Sequence, residues 1–252
     1  MNPDAVKVVM FDYDGVLRDA MNPHLPGTKP HAFAKAVVDF QPSLRGRETE
    51  ISGLYFATSG KNRIYQLHYV EEQLGIDSPV KAEQEKNWSD SFNSFIDTTN
   101  LPLFPEAIDV TKELKKRGYT LMIGSSVPQE RLESEVTLFP DLEENMDLIL
   151  GNQKMSKGVG TEGNFIKGVP YVSFVTGWYL GKSGVLLKPE EIAFIGDAPE
   201  DMKAGYEAGS FTIGITNHLI PGTRERLEKH DPDRIILGLS ELLEIFTDGE
   251  TK

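Results

Sequence analysis

The sequence predicts an α/β protein: a parallel sheet layered between helices, interrupted near its start by an all-helical module. Three observations carry this expectation. Short apolar runs rich in β-branched residues recur with helical patterns between them, the signature of βαβ units with right-handed crossovers. That alternation breaks between residues 19 and 99. The length, 252 residues, corresponds to about one and a half domains of ordinary size.

The first run, 6–11 (VKVVMF), is apolar almost throughout and ends in Asp12-Tyr13-Asp14-Gly15. A run with no polar alternation reads as a strand buried on both faces. After a Pro- and Gly-rich stretch at 22–30, helices are expected near 31–40, 48–56, 63–74 and 81–96, with no convincing strand among them. Asn-Leu-Pro-Leu-Phe-Pro at 100–105 punctuates the return to alternation. A helix at 107–117 stops at Gly118. Strands are expected at 119–123, 147–150, 192–195, 211–215 and 234–237, and further helices at 201–208 and 239–246. The domains are therefore expected to be an α/β core, 1–18 with 100–252, and a helical insertion, 19–99.

Acids outnumber bases 39 to 26, for a net charge of −13. A field of that sign disfavours nucleic acid and anionic membrane as partners. There is no cysteine, which removes disulfides, thiolate metal sites and thiol catalysis. Residues 1–9 hold no apolar stretch long enough for a secretory signal. The apolar stretch 171–187 is broken by Gly177, Gly181, Lys182 and Gly184, so it falls short of a membrane span. A cytoplasmic protein, monomer or homodimer, is expected.

In open α/β sheets ligands bind beyond the carboxyl ends of the strands. Those ends carry Asp12 and Asp14, then Ser125 and Ser126, then Gly196 and Asp197, with Asp201 at the start of the next helix. Carboxylates gathered there repel one another unless a divalent cation joins them. Hard oxygen donors without cysteine or histidine favour Mg²⁺.

These residues also carry a resemblance. Residues 8–17 (VVMFDYDGVL) resemble the first motif, hhhhDxDGxL, of the haloacid dehalogenase superfamily; YTLMIGS at 119–125 resembles its second, and GDAPED at 196–201 its fourth, GDxxxD. The resemblance implies a Rossmann-like three-layer core with a helical cap inserted after the first strand, as in the phosphoglycolate phosphatase-like subfamily. It further implies Asp12 as the nucleophile that forms an aspartyl-phosphate. Mg²⁺ would be held by Asp12, the Asp14 backbone carbonyl, Asp197 and Asp201. Asp14 would be general acid and then base, and Ser125 a phosphoryl ligand. The dehalogenases of this superfamily lack an acid at the position of Asp14, so its presence points to phosphoryl transfer from a small phosphorylated metabolite.

For the third motif, a lysine between the second and fourth, the chain offers two candidates. Lys167 has about the expected separation, and Lys157 is its rival; Lys188 lies too near Asp197. Lys167 is taken as the motif lysine, and substrate contacts are expected from Ser126 and Lys157 and from Lys61 and Arg63, which lie beside Gly60 between two helices. That stretch reads equally as a plain interhelical connection. Residues 177–183 (GWYLGKS) have one residue too few between glycines for a phosphate loop. The five histidines show no ligand spacing, and Trp88, Phe92, Phe95 and Ile96 read as core of the insertion. A phosphomutase would use the same residues but return the phosphoryl group to its substrate. A non-catalytic binding protein would keep the fold and show no Mg²⁺-dependent turnover. A phosphonate hydrolase would need a Schiff-base lysine in the insertion.

Overall fold

Val8–Phe11, four apolar residues in a row and all buried, form strand β1 of a sheet in the computed structural model. The structure describes residues 1–58, 63–152, 169–216 and 222–247, with Val169 and Pro170 described by backbone alone. The chain divides into two compact units, Met1–Arg18 with Leu103–Lys252, and Asp19–Pro102.

The second unit is helical. It contains α1 (Lys29–Phe40), α2 (Glu48–Ala57), α3 (Arg63–Gln73) and α4 (Glu85–Phe95), the last preceded by a 3₁₀ turn at Ala82–Gln84. Its core is an aromatic cluster. The Phe33 ring lies 5.0 Å from Tyr55 and 5.4 Å, edge-on, from Trp88, while Trp88 stacks on Phe92 at 5.8 Å. Trp88 and Phe92 are buried as expected; Phe95 and Ile96 are only half-buried, because α4 ends at Phe95.

The return from this unit is set by Asp97. Its Oδ1 accepts from the backbone N–H groups of Thr99 (2.8 Å) and Asn100 (2.9 Å), and its Oδ2 accepts from Asn100 Nδ2. These donors, the Asn100 side chain first, hold the carboxyl at about 2, below its ordinary 3.8. A depressed folded-state pKa contributes stability that is present above the unfolded value and lost as pH falls through the folded one. Asp97→Ala is therefore expected to lower the unfolding free energy at pH 7, read by urea denaturation, by about 1 kcal/mol or less, since the group is largely exposed and screened. The gap between variant and wild type should shrink as pH falls from about 4 toward 2. A constant gap across that range would show that charge has no part in it.

The first unit is the sheet and its covering helices. β2 (Thr120–Gly124), β3 (Leu148–Leu150), β4 (Ile192–Gly196), β5 (Phe211–Ile215) and β6 (Arg234–Ile236) join β1 in the order β3-β2-β1-β4-β5-β6, every pairing parallel. Alternate side chains serve opposite faces, as the period-2 pleat requires. Val9, Phe11, Ile123 and Ile195 pack in one buried cluster with Leu114 of α5 (Ala107–Lys116); Val8, Met10, Met122 and Phe194 pack in another with Tyr171 and Val175 of α8 (Val169–Ser183). Burial on both faces accounts for the unbroken apolar runs in the sequence.

Helices α6 (Gln129–Val136), α7 (Pro140–Asn145) and α10 (Thr223–Glu228) were not anticipated. Each has eight residues or fewer and is mostly polar, so helical periodicity is scarcely sampled. α9 (Pro199–Glu207) and α11 (Leu242–Ile245) complete the described helices. Among the described residues no helix is long and apolar enough to cross a membrane.

Candidate active site

β1 lies between β2 and β4, so successive connections leave it in opposite directions, and its carboxyl end is the switch point of the sheet. Phe11 is the last residue of β1 and is in register with Ile123 and Ile195. Asp12 is thus the first residue beyond the strand. Its N–H donates to the Ile195 carbonyl at 2.8 Å, and its Oδ1 accepts from the Tyr13 N–H at 2.8 Å. The parallel register brings the ends of β1 and β4 side by side, and with them Asp12 and Asp197.

Asp201 reaches the same place from α9. Its N–H donates to the Ala198 carbonyl at 3.0 Å, and its Oδ2 accepts from the Ala198 N–H at 3.3 Å, which fixes the carboxylate over the first turn. Gly196 permits the approach. A Cβ there would lie 2.2 Å from Asp201 Cβ and 2.4 Å from its Oδ2. One carboxylate oxygen each from Asp12, Asp197 and Asp201 lie within 4.8 Å of one another. Asp201 is 3% exposed; the other two are half-buried. The donor set, three carboxylates without cysteine or histidine, fits a hard divalent cation such as Mg²⁺.

Asp14 is placed differently. Gly15, at φ 91°, turns the chain back so that the Leu17 and Arg18 N–H groups both donate to the Tyr13 carbonyl, at 3.0 and 2.9 Å. The Asp14 side chain is buried against Arg18, whose Nε donates to Asp14 Oδ1 at 2.9 Å. It lies outside the group of Asp12, Asp197 and Asp201. Arg18 is 1% exposed. Burial opposes its charge, but Asp14 and Glu135 outweigh this and raise its pKa.

Ser125, at the end of β2, is 2% exposed. Its N–H donates to the Leu150 carbonyl at 2.9 Å, and its Oγ accepts from the Val127 N–H at 3.3 Å. Tyr171 donates its hydroxyl to the Ser125 carbonyl at 2.9 Å. Ser126, next along, is exposed. In the helical unit, Arg63 is exposed, donates through Nη1 to Asn93 Oδ1 at 2.9 Å and lies 5.4 Å over the Phe92 ring. Lys61, Lys157 and Lys167 lie outside the described residues.

Arg226 of α10 and Glu135 of α6 were not singled out from the sequence. Arg226 is a partly buried cation whose charge interacts with Asp197; burial lowers its pKa, while Asp197 and Glu225 act to raise it. Its position soon after β5 was the available signal, but an Arg in a short charged helix reads first as surface.

No family model matches the chain. It is 25% identical to a phosphoglycolate phosphatase of Haemophilus influenzae over 147 residues, so the match spans 57% of either chain. With the phosphoglycolate phosphatase of Pasteurella multocida it shares 25% identity over 248 residues, 95% of this chain and 98% of that one. Among solved structures, a haloacid dehalogenase-like hydrolase from Streptococcus pneumoniae superposes with a TM-score of 0.69 at 18% identity, covering 96% of this chain and 99% of its own. A HAD family hydrolase from Deinococcus radiodurans, with bound phosphate and sodium, gives 0.67 at 22%, covering 96% and 97%. By these likenesses the chain is similar in sequence to phosphoglycolate phosphatases and shares the fold of haloacid dehalogenase-like hydrolases.

Proposed function

We propose that the protein is a Mg²⁺-dependent phosphatase that hydrolyses a small phosphomonoester through a phosphorylated Asp12. The observation that carries the reading is the convergence of Asp12, Asp197 and Asp201 at the switch point of the sheet. In the reaction an Asp12 oxygen bonds to phosphorus as the ester P–O bond breaks. Asp14 gives its proton to the departing alkoxide, then takes one from the water that cleaves the acyl-phosphate. Water thus supplies one proton and the hydroxyl, and both aspartates return to their starting states. Ser125, with Lys167 or its rival Lys157, would hold the phosphoryl oxygens. Ser126, Lys61 and Arg63 are the residues we assign to the remainder of the substrate. Bound Mg²⁺ would neutralise charge on the phosphoryl oxygens and on the three carboxylates.

Phosphoglycolate is the first ester to assay, because full-length relatives bear its name. The decisive experiment measures phosphate release from phosphoglycolate, sugar phosphates and nucleotides, with and without Mg²⁺. Turnover of a small ester that chelation abolishes and Mg²⁺ restores is expected. Metal-independent activity would remove the cation from the reading. Interconversion of isomers without phosphate release would replace hydrolysis with phosphoryl return to substrate. No turnover with any ester would overturn the enzymatic reading.

A further inference from the structure

Four charged side chains form a row leading away from Asp14. Arg18 Nε donates to Asp14 Oδ1 at 2.9 Å, and Nη2 lies 2.8 Å from the same oxygen. Nη2 also lies 3.0 Å from Glu135 Oε2. Glu135 Oε1 accepts from Arg131 Nε at 2.7 Å. The side chains of Asp14 and Glu135 are 2% exposed and that of Arg18 is 1% exposed, while Arg131 is 30% exposed. The guanidinium also rests on the Tyr13 ring, 4.8 Å from its centroid. Glu135 and Arg131 belong to α6, which follows the Ser125 strand.

Burying such a row is not an efficient way to gain stability. Desolvation offsets much of the attraction, and apolar replacements of a buried ion pair are often neutral or better. What the row does supply is orientation. A carboxylate that accepts from Nε of a planar guanidinium and is ion-paired with its Nη2 has little freedom about χ2, and the guanidinium itself lies between the Glu135 carboxylate and the face of Tyr13.

We propose that Arg18, anchored by Glu135, is a positioning residue for Asp14. Arg18 engages Oδ1 and so fixes the plane in which the Asp14 carboxyl exchanges its proton with the leaving oxygen and the attacking water. This rests on the phosphatase reading and adds to it a pair of residues to which that reading gives no role. A misaligned acid penalises poor leaving groups selectively: an alkoxide needs its proton as the P–O bond breaks, whereas p-nitrophenolate departs without one.

The test compares kcat/KM for an alkyl phosphomonoester and p-nitrophenyl phosphate in wild type, Arg18→Met, Arg18→Lys and Glu135→Gln. Because kcat/KM reports steps through formation of the phosphoenzyme, deacylation does not mask the leaving group. Arg18→Met is expected to lose about 10- to 100-fold more on the alkyl ester than on the aryl ester. Arg18→Lys should recover part of that difference, and Glu135→Gln should show a smaller difference of the same sign. Should Arg18→Met fail to fold, as an uncompensated buried carboxylate makes possible, Glu135→Gln carries the test, since it keeps shape and removes only charge. Equal losses on both esters would mean a structural role and overturn the proposal. A gain on the alkyl ester would mean that Arg18 restrains Asp14, and would overturn it too. Wild type inactive on both esters would instead refute the phosphatase reading, and this proposal with it.

Discussion

Asp12→Asn is expected to lower phosphate release by about 10⁴-fold or more, the scale seen when a covalent nucleophile is removed from an otherwise intact site. An amide oxygen is far less nucleophilic than a carboxylate and would not form the acyl-phosphate. The substitution leaves the local structure its bonds. The Asp12 N–H to Ile195 carbonyl bond is backbone, and an Asn Oδ1 accepts from the Tyr13 N–H as the carboxylate does. In the absence of metal the variant should be at least as stable as wild type, because it removes one of three mutually repelling carboxylates. Added Mg²⁺ should raise the urea midpoint of wild type more than that of the variant, since binding to the native state alone stabilises it. Phosphate release and urea denaturation, each with and without Mg²⁺, read both effects, with mass spectrometry to exclude deamidation back to Asp. Full activity in a verified amide would end the assignment of Asp12 as nucleophile.

The parts of this molecule that were legible in the sequence are those where one physical requirement acts along a continuous stretch. A strand buried on both faces must be apolar at every position, and Val8–Phe11 and Ile192–Gly196 show it directly. The carboxylates were legible because motif order and strand ends agree, and a parallel register then leaves the ends of β1 and β4 adjacent. What stayed hidden is pairwise. Arg18 and Glu135 stand 117 positions apart (135 − 18), and their contact exists only because α6 packs where the turn after β1 leaves an arginine inside. Neither has a local pattern that distinguishes it from a solvated charge. Short helices such as α7 were missed for a related reason: six residues sample less than two turns of the helical period. Gly196 was read as part of a motif, but its necessity is a distance, visible only once α9 is docked.

That distance makes Gly196→Ala the second large expected effect. The new Cβ would fall 2.2 Å from Asp201 Cβ, 2.5 Å from its Cγ and 2.4 Å from its Oδ2. Neither backbone can readily yield. Gly196 closes β4 in register with Gly214 of β5, and β4 is buried throughout. α9 is pinned from its other end, where Gly205 packs so closely on the sheet that a Cβ there would meet Thr212 Cγ2 at 2.5 Å. The strain therefore falls on Asp201 and on the first turn of α9, at the group the cation would need. Overpacking of this kind destabilises by about 1–3 kcal/mol. Displacing a residue that orients a metal site weakens metal affinity or activity by about 10- to 100-fold. The expected result is a Mg²⁺ activation curve shifted to higher concentration by that factor, with part of the lost turnover recovered at saturating metal. Gly177→Ala is the control, since among the described residues its added Cβ would meet nothing within 4 Å beyond its own neighbours and helix backbone. It sits within a helix, where alanine is preferred to glycine by roughly 0.5–1 kcal/mol, so it should hold or raise stability and leave the Mg²⁺ curve in place. If Gly196→Ala behaved like the control, Asp201 would not be held where the carboxylates converge, and its assignment to the cation would fail while that of Asp12 stood.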